Sequence, residues 1–336
     1  MGKMMNRLRK KGVFFTFIAM GMMTIFILLF TSQADVSLQK DNQAVKTRIN
    51  TINDYVNDLE GRYFESVLRA STYKSILSLV FYINETGAFL EKLNASFQEV
   101  LINGTINNVP IDSITKKNIT QNNTLTYWSN ELSRTANDTL NVNTTIVINN
   151  ATIFQKKPWE IDSVVSINYT VKSDVAEWTK EVSVATSIGI EGFYDPYYIV
   201  NTGSLYTNQI KMSSVEFNKW SISQTREHLR NGTYVHWENS DAPNFLMRFD
   251  NKMEKSSCCG IESLVNPNAV SPSDQIESYV DYLFWTHQYN PRCVDLFNIN
   301  NPDTGGGLWD EFAYFKLDFS HFTLYNITSQ DAVLTC

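Results

Sequence analysis

The pattern of apolar and polar positions divides the chain into an apolar N-terminal run, a series of helical stretches and a later group of strands. No charged residue occurs from Val13 to Phe30. Eighteen helical residues at 1.5 Å each reach about 27 Å, close to the thickness of a bilayer's hydrocarbon core. The run therefore predicts a transmembrane helix over residues 13–31, through which the chain would contact the lipid bilayer.

Charge on the two sides of the apolar run predicts its orientation. Residues 1–12 form a basic leader that lacks acidic residues and contains Lys3, Arg7, Arg9, Lys10 and Lys11. Beyond Phe30 the first basic residue is Lys40. Under the positive-inside rule, we expect a single-pass protein of the cell membrane with a cytoplasmic N-terminus and an extracytoplasmic remainder.

A helical period continues after the membrane run. Apolar residues recur at spacings of three and four in Val45, Ile49, Ile52, Val56, Leu59 and Tyr63. This narrow seam predicts that the transmembrane helix continues into a long amphipathic stalk helix over residues 32–60. Gly61 marks a weak point, after which helices are predicted over 64–83 and 85–101. Residues 102–123 are predicted to form a surface loop, and Thr124 to cap a short helix that ends near Leu140.

Apolar residues then recur at every second position, the spacing typical of strands. Val165 to Lys172 alternate strictly, and Val182 to Ile190 repeat the alternation after a polar break at residues 173–177. These two runs predict an antiparallel pair of strands, and the candidate neighbours are Thr145 to Ile153 and Phe312 to Tyr325. Helices followed by strands predict an α+β fold, with an extracytoplasmic domain over residues 61–336 whose helices pack on an antiparallel sheet. Within this domain, residues 193–310 show no regular period and predict a loop-rich insertion.

Composition and charge narrow the class of protein. With 43% hydrophobic residues the chain can bury a substantial core, so it is globular rather than disordered. The net charge is −7, and it becomes −12 when the basic residues of the leader are left out. An acidic ectodomain without a basic run argues against nucleic acid as a partner.

All cysteines lie in the last quarter of the chain, at Cys258, Cys259, Cys293 and Cys336. An even number in an exported domain indicates two disulfides. Adjacent Cα atoms are only about 3.8 Å apart, below the usual disulfide range of about 4.4 to 6.8 Å. We therefore expect one of Cys258 and Cys259 to bond to Cys293 and the other to Cys336, stapling the loop-rich insertion. The alternative, a thiolate metal site, lacks any CxxC spacing.

The sequence Lys10-Lys11-Gly12, directly before the apolar run that begins at Val13, resembles the class III signal of archaeal type IV pilin-like proteins. The resemblance covers about thirty residues. It implies that a prepilin peptidase cuts between Gly12 and Val13 and leaves the apolar helix on the mature protein. It also implies homo-oligomeric or hetero-oligomeric pilin-like partners. The alternative is an uncleaved signal anchor with a basic flank.

Glycosylation sequons are the densest motif in the chain. Asn-x-Ser/Thr occurs at Asn84, Asn94, Asn103, Asn118, Asn122, Asn137, Asn143, Asn150, Asn168, Asn231 and Asn326. Nine of these lie between residues 84 and 168, where composition alone gives about three. Asn168 shares strand parity with Ser166 and Thr170, which predicts a solvent-facing acceptor. The excess predicts a heavily glycosylated surface.

The sequence contains no recognisable catalytic motif, so we predict no catalytic residues, cofactor or metal. His228 and His236, with Glu227 and Glu238, fit no zinc spacing. The carboxylates of Asp195 and Asp241 form a possible pair only if the fold brings them together. The aromatic residues Trp220, Trp237, Trp285 and Trp309 are candidates for a binding groove, although core positions are commoner for tryptophan.

Two classes of function follow from these observations. The first is a membrane-anchored, glycosylated, pilin-like protein of the cell envelope with a structural or interaction role. The alternative is a signal-anchored extracellular hydrolase or ligand-binding ectodomain, which would need a cleft with converging polar groups.

Overall fold

The computed structural model describes residues 20–21, 38–216, 219–238, 240–270, 278–286, 295–296 and 315–327. The chain divides into two units, residues 1–56 and 57–336. The predicted leader, the Gly12–Val13 cleavage site and most of the predicted transmembrane helix over 13–31 lie outside the described residues. Within the ranges that are described, no helix is both long and apolar enough to cross a membrane.

Helices come first in the described chain. Helix α1 spans Leu38–Asp58, a π-helical turn spans Leu59–Tyr63, and α2 spans Phe64–Thr86. The weak point predicted at Gly61 lies within this π-helical turn.

The second predicted helix begins later than expected. Gly87 ends α2 with a φ of 64°, a left-handed conformation that glycine adopts at low cost. As a result α3 spans Leu93–Asn103 rather than starting at residue 85.

The predicted loop over 102–123 contains short elements. Strands β1 (Thr105–Ile106) and β2 (Val109–Pro110) form a small hairpin, and α4 spans Ile111–Thr115. Helix α5 spans Leu125–Leu140. The predicted cap is confirmed, because Thr124 Oγ1 accepts a hydrogen bond of 3.1 Å from the backbone N–H of Tyr127.

Three long strands form the main sheet. They are β3 (Asn143–Lys157), β4 (Glu160–Lys172) and β5 (Glu177–Gly189), paired antiparallel in that order. Alternate β4 residues such as Val165, Ile167 and Tyr169 are buried, and helices α2, α3 and α5 pack against the sheet. The α+β class with an antiparallel sheet is confirmed, and the three strands match the predicted runs.

The rest of the described chain is mostly irregular, as the lack of period predicted for residues 193–310. Short elements punctuate it: α6 (Pro196–Asn201), α7 (Ile222–Asn231), a 3-10 helix (Leu246–Asp250), α8 (Asp281–Thr286), β6 (Asp295–Leu296), β7 (Lys316–Leu317) and α9 (Phe319–Leu324).

The strand predicted from Phe312 to Tyr325 is wrong, since among its described residues, 315–325, only Lys316–Leu317 pairs as a strand and α9 follows. Asp318 ends the extended segment. Its Oδ1 accepts hydrogen bonds from the backbone N–H groups of Ser320 and His321 at 3.0 and 3.2 Å. This N-cap stabilises a helix where the apolar residues alone suggested a strand.

The predicted disulfide pairing is also wrong, because the structure bonds Cys258 to Cys259, with Cα atoms 3.7 Å apart. Cys259 has a φ of 71°, and this left-handed turn allows adjacent side chains to meet. The usual Cα range, on which the prediction rested, does not apply to adjacent residues. Cys293 and Cys336 lie outside the described residues.

Candidate functional site

The predicted acceptor asparagines lie at the surface. Asn84 is half-buried, and the exposed members are Asn94, Asn103, Asn118, Asn122, Asn137, Asn143, Asn150, Asn168, Asn231 and Asn326. Exposure is the first physical requirement for attaching a sugar to the side-chain amide. The whole predicted set meets or nearly meets it.

Three of these residues share one face of the sheet. Asn168 of β4 is opposite Val147, Lys172 is opposite Asn143, and Ser166 is opposite Asn150. Because residues directly opposite each other point to the same side, Asn143, Asn150 and Asn168 all lie on the face away from the helices. We call this the outer sheet face; the solvent-facing position predicted for Asn168 is confirmed.

The outer sheet face is polar beyond its asparagines. Ser166 Oγ donates to Glu181 Oε1 at 3.2 Å, and the hydroxyls of Thr170 and Thr179 are 3.2 Å apart. Such cross-strand pairs keep a polar sheet surface ordered without an apolar cover. This surface can therefore carry glycans while it remains in water.

The candidate metal and carboxylate residues do not come together. His228 Nδ1 lies 2.5 Å from Thr233 Oγ1, whereas His236 Nδ1 lies 2.6 Å from the carbonyl oxygen of Gly260. Asp241 pairs at the surface with Lys255, and Asp195 is fully buried elsewhere. In the described part of the chain no group of three or more His, Cys, Asp or Glu residues is arranged to hold a metal.

A buried ion triad lies where Asp195 does. Arg248 Nη1 donates to Asp195 Oδ2 at 2.7 Å and to Asp281 Oδ2 at 2.8 Å, and none of the three side chains is exposed. Arg248 Nη2 also donates to the carbonyl oxygen of Ile261 at 2.5 Å. Burial opposes the charge of Arg248, but the two carboxylates outweigh it and raise its pKa well above the usual range. The guanidinium therefore stays charged and joins three distant segments.

Neighbouring groups add hydrogen bonds to the two carboxylates of the triad. Tyr234 OH donates to Asp195 Oδ2 at 2.8 Å, and Ser263 Oγ donates to Asp281 Oδ2 at 2.8 Å. Burial raises the pKa of Asp281 even though Arg248 counteracts it. Protein donors thus replace the water that would otherwise bond to the two carboxylates, and such replacement is the condition for burying charge.

A second buried triad adjoins the first through the chain segment 261–263. His321 lies between two carboxylates: Nδ1 is 2.7 Å from Asp318 Oδ2 and Nε2 is 3.2 Å from Glu262 Oε2. Burial by itself would lower the pKa of His321, but the two carboxylates raise it to about 10. Burial likewise would raise the pKa of Asp318, but His321 lowers it to about 2. His321 is therefore a cation at neutral pH and donates from both ring nitrogens.

The second triad predicts an alkaline loss of stability. A raised histidine pKa stabilises the fold fully below about pH 6.5, and that contribution disappears as the pH rises towards about 10. The lowered pKa of Asp318 acts on the other side, since its contribution is lost as the pH falls from 3.8 towards about 2. At ~1.4 kcal/mol per pKa unit, we expect the free energy of unfolding to fall by several kcal/mol between pH 6.5 and 10. Urea unfolding of the purified chain at a series of pH values measures it.

The control for this prediction separates His321 from the other ionisable groups. The alkaline slope should flatten in His321→Gln and persist in His228→Gln, because burial lowers the pKa of His228 to about 4, outside that pH window. Equal slopes in the two variants would contradict the role given to His321.

The candidate tryptophans belong largely to the core. Trp220 and Trp237 are buried, and the ring N–H of Trp237 donates to Glu262 Oε1 at 2.9 Å. Trp285 is half-buried and packs edge-on against Phe284, with ring centroids 4.7 Å apart. Trp309 lies outside the described residues.

The sequence did not single out the charged residues of the two triads, apart from Asp195, which was considered with Asp241 as a possible carboxylate pair. A local signal exists: Arg248 is preceded by Phe245-Leu246-Met247 and followed by Phe249, and Asp281 follows Tyr279-Val280. A single charge inside an apolar run indicates a buried pair, because an isolated charge would not be buried. What the sequence does not give is which charge pairs with which.

No family model, curated protein or solved structure matches this chain. Two features of the residues themselves bear on function, the exposed sequons and the buried charges.

Proposed function

We propose that this protein is a membrane-anchored, glycosylated, pilin-like component of the cell surface with a structural or interaction role. The observation that carries the proposal is the exposure of the sequon asparagines, three of which share the outer sheet face. The membrane anchor and the pilin-like processing rest on the sequence of residues 1–31.

The polar groups that converge in the described unit support a structural role rather than chemistry on a substrate. Asp195, Arg248, Asp281 and Glu262 are each fully buried. An active site needs its reacting groups at a surface that substrate can reach. These charges instead pair within the fold, Arg248 with Asp195 and Asp281, and Glu262 with His321, and the pairs join irregular segments.

A polar, sugar-covered exterior suits a protein that stands in the medium outside the cell. The sheet ends in an edge strand on each side among the described elements, and exposed edges invite pairing with other chains. Bulky hydrophilic glycans at Asn143 and Asn150 of β3, one of these edge strands, would hinder such pairing.

The first test of the proposal is a glycan map. We expect Asn118, Asn122, Asn137, Asn143 and Asn150 to carry N-linked glycans in protein purified from the native host, because all are exposed acceptors. Mass spectrometry of glycopeptides measures occupancy. Asn130 and Asn149 are exposed but lack the motif and serve as unmodified controls. If only unmodified peptides are found at these sequons, the excess of sequons reflects amino-acid composition alone.

The second test concerns the N-terminus. If a prepilin peptidase processes the leader, the mature protein begins at Val13, and intact-mass spectrometry finds the loss of residues 1–12. Gly12→Leu should block the cut because it changes the residue before the scissile bond, whereas Gly2→Leu, elsewhere in the leader, should not. Protein that starts at Met1 or Gly2 would contradict processing and support the alternative, an uncleaved signal anchor.

A further inference from the structure

One sequon asparagine lines a groove. Asn94, in the first turn of α3, faces a groove of about 590 Å³, within the range of about 300 to 1,000 Å³ typical of ligand sites. The groove is also lined by the segment around the 3-10 helix, including Asn244, Met247 and Lys252, and by Phe154 near the end of β3.

The side chain of Asn94 is held in place at this groove. Its Oδ1 accepts a hydrogen bond of 3.1 Å from the backbone N–H of Ile153. Ile153 lies in β3, an edge strand of the sheet, so Asn94 occupies a position where another strand would otherwise pair. The bond uses the amide oxygen and leaves the amide nitrogen, the atom that receives a sugar, with its hydrogens.

We propose that the glycan attached to Asn94 folds back into this groove and packs there as part of the folded unit; this rests on the proposed glycosylation of the chain. The lining has the chemistry that a saccharide needs. Phe154 and Met247 offer apolar surface to the C–H face of a sugar ring, while Lys92 and the Asp250–Lys252 pair offer charged partners for its hydroxyls.

The seated glycan would join three parts of the fold. It would bridge the start of α3, the end of β3 and the 3-10 helix. The segment just before α3 already meets the 3-10 helix through the hydrogen bond from Leu90 N to Phe249 O at 2.8 Å. It would also cover part of the β3 edge. Asn137, by contrast, lies exposed on α5 and does not line this groove.

The test compares two matched variants by hydrogen exchange. Ser96→Ala removes the Asn94 sequon and keeps Asn94 with its bond to Ile153; Thr139→Ala removes the Asn137 sequon, also within a helix. In glycosylated protein from the native host, we expect amides of residues 153–155 and 244–247 to exchange about two- to tenfold faster in Ser96→Ala, the effect of losing one or two ordinary hydrogen bonds. Thr139→Ala should exchange there like the wild type.

The same pair made in a host without N-glycosylation isolates the sugar. Wild type and Ser96→Ala should then exchange equally, and any residual difference is subtracted as the effect of the side chain. Equal exchange in the glycosylated pair after that correction overturns the inference, while glycosylation stands. An unmodified Asn94 peptide also overturns it, and occupancy at Asn137 then shows whether the proposed glycosylation fails as well.

Discussion

Replacing Arg248 with methionine is expected to lower the free energy of unfolding by about 3 to 5 kcal/mol, the cost of breaking a buried ion pair. The substitution keeps most of the side-chain volume, but it leaves Asp195 and Asp281 without the cation 2.7 and 2.8 Å away. Domains are commonly stable by only about 5 to 15 kcal/mol, so the variant should be severely weakened. Urea unfolding followed by circular dichroism measures the change.

Two further variants show whether unpaired charge is the cause. Arg134→Met removes an exposed arginine that pairs with Glu131 at the surface, and it should change stability little. Combining Arg248→Met with Asp195→Leu and Asp281→Leu should recover much of the loss, since apolar replacement of a whole buried triad is often neutral or better. If Arg248→Met unfolds at the same urea concentration as Arg134→Met, the triad does not hold this region.

Gly260→Ala should be the second damaging substitution. A Cβ at this position would lie 2.2 Å from the carbonyl oxygen of Ala242 and 2.9 Å from its carbonyl carbon. Both are backbone atoms, so the chain has to move, and the bond from Ile261 N to Pro243 O at 3.0 Å lies next to the clash. Overpacking typically costs about 1 to 3 kcal/mol, and we expect this variant at or above the upper end.

Gly189→Ala is the matched control for the clash. Its added Cβ would come no closer than 3.9 Å to the carbonyl oxygen of Trp159. In a strand, alanine is favoured over glycine by about 0.5 to 1 kcal/mol, so this variant should be as stable as the wild type or slightly more so. Thermal unfolding of the two variants decides the prediction, and equal melting temperatures would contradict it.

Local patterns predicted the parts of the fold that depend on local physics. Strict alternation identified β4 and β5 because each strand buries one face, and Thr124 identified the start of α5 because a cap acts within one helical turn. The strand predicted through Phe319 failed for a local reason as well. The capping carboxylate of Asp318 outweighed an apolar alternation of only a few residues.

The buried triads could not be predicted because their members are far apart in the sequence. Arg248 bonds with partners that are 53 and 33 residues away, and His321 meets Glu262 across 59 residues. No periodicity encodes such pairings. The sequons are different, since each motif is read in three consecutive residues and only its exposure depends on the fold.

The wide separation of the triad members has a consequence for how the protein folds as it is made. Contacts between residues far apart in the sequence form slowly, because the entropy of closing a long loop is lost before the contact stabilises it. Asp195 cannot complete its buried triad until Asp281 has been synthesised. Glu262 can pair only after His321, near the end of the described chain, has been synthesised. The pairing of the three strands of the main sheet involves only residues 143–189 and has no such dependence. We therefore expect residues 193–286 to acquire protection only after synthesis of the chain is nearly complete. Stalled or C-terminally truncated chains would then present a folded sheet beside an exposed, protease-sensitive segment.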